Sequence, residues 1–435
     1  MVDKTKLPFA VGYAKQISIP WEADRLDNAY GVETANGWVQ SCYSLVEKPE
    51  FATDMATLQG VWIMDCGILQ WTAEGNLLLQ ASQTYDAVCD ETFNYVQVVS
   101  TPQGHMILTD LGVWLLDSEQ TWATKTNLPP FVKAVVHNGR CFAVTGTDTK
   151  LYFSALHQYD CFDSALGGGW LNFDARGGKC LALCQISGNL YVFRQHSIER
   201  IFATADQRDF VHTAVDFSCG NLYANTMASN GSQAMFLTDW GLWAFDGKAF
   251  SRVAKHLDTK FAKFNDYATG TFCNQGYVVH CKLHLDGTKA NANFVNNSLV
   301  VVSPRGVVVL YGWDFTSLVT TESNQLLATS GGTVYTLDGQ VDANGTSQCQ
   351  LQTNFNSHKG KTVQFVTFTT QSPLTMTVHF NNTHKSYNLQ ASDQPQSIFV
   401  NATGKNFRFV FSTQGPMKLS PICVDYLLYK GGVAP

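Results

Sequence analysis

Apolar and polar positions in this chain come in short blocks separated by turn residues, never in long helical stripes. The clearest block occurs twice: Leu108-Thr-Asp-Leu-Gly-Val-Trp114 and Leu237-Thr-Asp-Trp-Gly-Leu-Trp243, 129 residues apart. Each copy runs apolar strand, Thr-Asp-x-Gly turn, apolar strand, polar turn. Gly112 and Gly241 supply the positive φ that a tight hairpin needs. Weaker copies pair Trp62-Ile-Met with Ile68-Leu-Gln-Trp71, Cys141-Phe-Ala-Val with Leu151-Tyr-Phe153, and Leu190-Tyr-Val-Phe193 with Ile198-Glu-Arg-Ile-Phe202. Two more pair Val300-Val-Val with Val307-Val-Val-Leu-Tyr311 and Leu326-Leu-Ala with Val334-Tyr-Thr-Leu337. Second strands starting at Ile68, Val113, Leu151, Ile198 and Leu242 step by 45, 38, 47 and 44 residues. Hairpin units recurring every ~40–45 residues mark propeller blades. The next steps, 65 to Val307 and 27 to Val334, break the period, and the longer one holds a further hairpin around Tyr277–Cys281.

The pattern therefore predicts an all-β chain with an irregular β-propeller of about six blades over residues 50–345, five to seven being open. An N-terminal segment, 1–49, either closes that ring or contacts a neighbour. A sandwich or barrel of unrelated hairpins is the competing arrangement. From about residue 346 the texture changes. No Trp follows Trp313, and strict alternation appears in Leu374-Thr-Met-Thr-Val-His-Phe380 and Phe407-Arg-Phe-Val-Phe411. Ile422–Tyr429 follows the same logic, and Phe380-Asn-Asn-Thr-His384 joins two strands. This predicts a small C-terminal β-sandwich over 346–435.

Composition agrees. Charged residues are 15% of the 435, against about 25% in ordinary globular chains. Only 9 Glu stand beside 26 Asp, which disfavours helices and favours turns. Disorder, coiled coil and helical bundle are excluded. The net charge of −6 argues against binding nucleic acid by net attraction. It divides into +5 over 346–435 and −11 over 1–345, an asymmetry that points to surfaces meeting different partners. Lys359, Lys361 and Arg408 are candidate partner contacts on the basic part. The start of the chain shows no signal-peptide pattern, and no run of ~18 apolar residues forms a membrane segment. Twelve scattered cysteines then read as reduced thiols, and the sequons at Asn230, Asn296, Asn344, Asn381 and Asn401 as composition.

The search for chemistry returns little. On a strand, His280 and His284 are ~13 Å apart, and Cys281 points to the other face, so they do not form one metal site. Cys180 and Cys184 have the same problem. There is no Gly-x-Ser-x-Gly elbow, and Gly167-Gly-Gly169 lacks the Gly-Lys-Ser/Thr of a phosphate loop and reads as a flexible loop. The Thr-Asp-x-Gly-x-Trp repeats resemble sialidase Asp-box turns only loosely, since the aromatic falls one residue early. Asp110 and Asp239 read as turn residues bonding their own backbone, and Trp114 and Trp243, at equivalent repeat positions, as blade-packing residues rather than a sugar platform. No catalytic residue, metal ligand or cofactor is assigned, and the chain reads as a non-enzyme.

Three stretches resemble the tail-nozzle proteins of short-tailed phages, also called tail tubular protein B or packaged-DNA stabilisation proteins. Lys150-Leu-Tyr-Phe-Ser-Ala-Leu-His-Gln-Tyr-Asp-Cys-Phe162 is similar to a family blade strand and loop. Leu190-Tyr-Val-Phe-Arg-Gln-His-Ser-Ile-Glu-Arg-Ile201 is similar to its hairpin of apolar run, Lys/Arg, x, x, Ser-Ile. Gly241-Leu-Trp-Ala-Phe-Asp-Gly247 with Phe250-Ser-Arg-Val is similar to its blade end. The resemblance spans residues ~50–435. It implies a structural virion protein, assembled in the host cytoplasm. Copies would form a homo-oligomeric ring, six in the family, beneath the portal and adaptor and beside other tail components. That ring would retain packaged DNA and conduct it during ejection without sequence recognition. A glycan-binding or glycan-hydrolysing propeller and a peptide-binding scaffold propeller are the alternatives.

Overall fold

The computed structural model describes residues 11–19, 27–30, 32–35, 38–41, 43–51, 58–64, 67–73, 77–81, 84–89, 96–117, 124–215, 218–262, 264–284, 296–304, 306–311, 313–338, 349–413 and 416–429. Among these, regular structure is strand plus a few single-turn 3-10 segments. The chain divides into two units. One comprises residues 46–299 and 312–337, the other 1–45, 300–311 and 338–435.

Seven four-stranded antiparallel sheets are present among the described residues. In chain order they begin at Leu58, Val96, Lys133, Cys180, Ala228, Thr269 and Ser317, and are called blades 1 to 7. First strands of blades 2 to 7 neighbour one another in succession, and that of blade 7 neighbours that of blade 1, so the array is a propeller. Seven lies at the upper end of the range open from sequence. Blade 7 takes its outermost strand, Ser44–Glu47, from early in the chain, with the Lys48 N–H donating to the Val334 carbonyl at 2.8 Å. Strands before it, from Val11 to Ser41, belong to the other unit's sheet.

The irregular steps have a simple cause. Ile68 lies in the second strand of blade 1, and Val307 in the fourth strand of blade 6, whereas Val113, Leu151, Ile198 and Leu242 lie in third strands. The third strand of blade 6 is Asn296–Ser303. Taking the next hairpin along displaced the count by one strand.

Apolar faces of adjacent blades interlock. Phe193, Phe236 and Phe245 pack between blades 4 and 5, Phe142, Leu151 and Val192 between blades 3 and 4, and Met106, Val113 and Cys141 between blades 2 and 3. Side chains of this kind contribute about 1.5–3 kcal/mol each when fully buried. Gly60, on the first strand of blade 1, lies so close to the Trp71 ring and the Ser317 hydroxyl that a Cβ would collide with both.

In the second unit, ten strands form one sheet that folds over itself. Two 22-residue strands, Cys349–Thr370 and Ser392–Thr413, pair along most of their length with three register shifts. One half of the pair is flanked by Leu374–Phe380, the other by Ile422–Tyr429, so each long strand serves both layers of a sandwich. Met376, Val378, Phe407, Phe409 and Phe411 from one layer meet Val363, Val366, Val400 and Val424 from the other in a single core.

Candidate functional site

The two repeat turns come out alike. In each, two residues separate paired Thr and Gly positions, Thr109 with Gly112 and Thr238 with Gly241, and the glycines have φ of 145° and 125°. The threonine hydroxyl does the local work. Thr109 Oγ1 donates to the Gly112 carbonyl and accepts from the Leu111 N–H, and Thr238 Oγ1 accepts from the Trp240 N–H and donates to the Cys219 carbonyl at 2.7 Å. The expectation that the aspartate bonds its own turn fails at Asp239. Its carboxylate instead accepts from the Asn221 N–H at 2.7 Å and from Asn221 Nδ2 at 2.8 Å, clamping the preceding loop. Asp110 occupies the matching turn position in blade 2.

The tryptophans also match. Trp114 is 2% exposed, and the Lys125 amine, in register on the outer strand, stands 5.1 Å from its ring centroid. Trp243 packs into the blade 4–5 core with the Arg252 guanidinium 5.1 Å from its ring. These rings are blade-packing groups shielded by a cation. The expected flexible loop at Gly167–Gly169 is structured: Asp163 caps a 3-10 turn by accepting from the Ala165 N–H at 2.8 Å, and Gly168 is hemmed in by the Phe162 and Cys161 backbone.

Of the three candidate partner contacts, Lys361 is not a surface charge. It is fully buried. Its amine donates to the Phe355 carbonyl at 2.9 Å and lies 3.6 Å from the Phe355 ring centroid, and burial brings its pKa down to about 8. Arg408 is exposed. Lys359 lies on the same long strand as Lys361, and its side chain falls outside the described residues.

No group of three or more His, Cys, Asp or Glu is placed to hold a metal among the described residues. The eight cysteines with described side chains are free thiols. Burial pushes Cys141, Cys180 and Cys184 up to about 12, far from nucleophilic thiolate.

The propeller unit does hold a cavity of about 690 Å³, bordered by the inner strands, within the range of small-ligand sites. Trp62, Lys133, His280, Asp314, Phe264 and Tyr267 line it. Among the described residues the Lys133 amine has one weak bond, to the Met227 carbonyl at 3.4 Å, and burial holds it below the usual lysine range. Burial likewise lowers His280, opposed by Asp314, whose carboxylate is 3.9 Å from Nε2. His280 Nδ1 finds no partner among the described residues. Phe264 and Tyr267 are 80% and 85% exposed.

No family model and no curated protein sequence matches the chain. Solved structures match at low similarity. BamB from Moraxella catarrhalis superposes with a TM-score of 0.42 at 13% identity, covering 75% of this chain and 98% of that one. The computationally designed Ika8 protein gives 0.42 at 8%, covering 67% and 98%, and BBS1N in complex with ARL6DN gives 0.43 at 10%, covering 72% and 99%. The propeller assignment rests on the sheet topology described above.

The cavity has no signature in the sequence. Its residues come from six blades, and Phe264 and Tyr267 stand outside any repeat. Two of its residues stand out within apolar runs: Lys133, at the head of Lys-Ala-Val-Val-His137 after Pro129-Pro130, and His280, which the sequence singles out only as a metal candidate.

Proposed function

We propose that this chain is a structural protein of a short-tailed phage tail, a nozzle or hub ring below the portal and adaptor. The ring would retain packaged DNA and conduct it during ejection. One observation carries the reading: each of the three stretches that resemble the nozzle family contributes strands to a blade, and the Arg-x-x-Ser motif of the second is engaged within its own blade. Lys150–Phe153 is the third strand of blade 3. Leu190–Ile201 is the central hairpin of blade 4, where Arg194 of its Arg-x-x-Ser motif ion-pairs with Glu199 at 3.2 Å and Ser197 Oγ donates to the same carboxylate. Gly241–Phe245 with Phe250–Val253 closes blade 5. A sandwich unit accompanies the propeller, as in the family.

Like charge on an acidic conduit wall keeps DNA from adhering, which suits the −11 of residues 1–345. Self-assembly into a hexameric ring, contact with adaptor and other tail proteins, assembly in the host cytoplasm and residence in the virion are parts of the same proposal. No helix among the described residues is long and apolar enough to cross a membrane. Mass spectrometry of purified virions, with labelled antibody located by electron microscopy, tests it. A few copies per particle with label at the tail vertex is the expected result, and absence from particles overturns it.

The cavity favours a second reading, a glycan-binding propeller, because exposed Phe264 and Tyr267 offer stacking faces beside Asp266 and Asp314. A glycan array answers that separately: saturable binding lost in Tyr267→Ala would support it, and an array without signal would end it.

A further inference from the structure

Strands Leu374–Phe380 and Thr383–Leu389 join through Asn381 and Asn382, both in the left-handed region at φ 42° and 60°. Alternation places Leu374, Met376 and Val378 in the core and Thr375, Thr377 and His379 on the opposite face. Across one side, Thr377 faces Ser386 and His379 faces His384. Across the other, Thr375 faces Ser412, Thr377 faces Val410, and His379 faces Arg408. The outer face is thus mostly uncharged until its end, where three basic side chains from three adjacent strands converge. The His379 and His384 rings lie 5.7 Å apart, centroid to centroid.

These three groups border an open depression of about 330 Å³, with Asn382 and Asn406 on its wall and no acidic residue among its lining. Neither imidazole nor the guanidinium makes a hydrogen bond or ion pair among the described residues; the histidines have only their mutual ring contact. Arginines elsewhere are engaged: Arg140 donates to three carbonyls, Arg200 to Asn189, and Arg252 pairs with Asp258. Lys385 belongs to the other face, its amine donating to the Val400 and Asn401 carbonyls. On the next strand over, Asn354 stands opposite Arg408 in the register.

We propose that His379, His384 and Arg408 form a binding site for a phosphate oxyanion. The guanidinium fork offers paired donors matched to two oxygens of a tetrahedral anion, and each imidazole adds a donor once protonated or in the right tautomer. Without an anion the cluster opposes its own charging: partial burial, Arg408 and His384 all hold His379 below the usual histidine range. A bound anion removes that opposition, so binding takes up protons and tightens as pH falls. This site stands apart from the tail reading, and neither test bears on the other.

The test is nuclear magnetic resonance of the full chain with labelled histidines, titrated with inorganic phosphate at pH 6 and with sulfate, whose charge is constant, from pH 6 to 8. Two histidine resonances should shift saturably, and the midpoint of His379 should move upward when the anion binds. Binding should weaken about tenfold or more in Arg408→Gln, the loss of a charge-assisted hydrogen bond. Competition by a thymidine oligonucleotide would make the source a nucleic-acid backbone, and its failure to compete would make it free phosphate or a phosphomonoester. Resonances that ignore both anions, or equal affinity in Arg408→Gln and wild type, would overturn the site.

Discussion

The two units treat buried positive charge in opposite ways. In the propeller, Arg194 is 1% exposed and fully bonded: it ion-pairs with Glu199 and donates to the Gly178 and Asp174 carbonyls. Glu199 accepts in addition from His212 Nδ1 at 3.1 Å. In the sandwich, Lys361 is equally buried, yet among the described residues it has one carbonyl and two aromatic rings and no carboxylate partner. The first arrangement joins three strands and a loop into one polar network. The second is a cation tolerated inside an aromatic core, with its amine partly discharged as the consequence.

Breaking the network should show the largest effect. Glu199→Ala strands a desolvated guanidinium and should lower stability by about 3–5 kcal/mol in urea unfolding; a loss below ~1 kcal/mol would mean that the carbonyls alone satisfy Arg194. Lys361→Met keeps the stem and removes the buried charge. Its consequence is read best against pH. The folded-state pKa of about 8 lies below the ordinary 10.5, so between those values the unfolded chain binds the extra proton and stability rises with pH. That contribution is fully present above the unfolded value and lost as pH falls through 8. The wild type should therefore gain up to ~3 kcal/mol relative to Lys361→Met between pH 7 and 10.5. Parallel pH profiles for the two proteins would refute the assignment. The comparison subtracts the buried thiols, which have the opposite alkaline trend in both.

The smallest effect separates engaged from unengaged arginines near the surface. Arg252→Gln removes an ion pair to Asp258, a bond to the Trp240 carbonyl and a cation over Trp243, and should lower stability by about 1–2 kcal/mol. Arg408→Gln, whose side chain has no such partners among the described residues, should change it by less than ~0.5 kcal/mol. Thermal unfolding of both variants under one condition decides whether the contrast holds.

Much of the propeller was legible because hairpins are local. A turn glycine and two alternating runs lie within fifteen residues, so the Leu108–Trp114 and Leu237–Trp243 blocks announced blades 2 and 5 three units apart. The blade count slipped where locality ended. The second and third strands of blade 6, Gly276–Leu283 and Asn296–Ser303, are too far apart in sequence to be read as one hairpin, and the fourth strand of blade 7 comes from Ser44–Glu47, farther away still. The basic residues divided for the same reason. Positive charge at 346–435 is countable, but which members are buried depends on neighbours: Lys361 meets Phe355 and Phe407, whereas Arg408 alternates outward between Phe407 and Phe409.

By itself the sequence determined the all-β class, the repeat of hairpins, the change of texture near residue 346 and the apolar faces of the C-terminal strands. These are properties of period-two alternation and turn chemistry, which act over a few residues. Tertiary structure alone decided the docking of blade 7 against blade 1, the two long strands shared between sandwich layers, the cavity bordered by the inner strands and the convergence of His379, His384 and Arg408. Each of those depends on register and packing between segments distant in the chain, and no local pattern of apolar and polar residues encodes which distant strand will lie alongside.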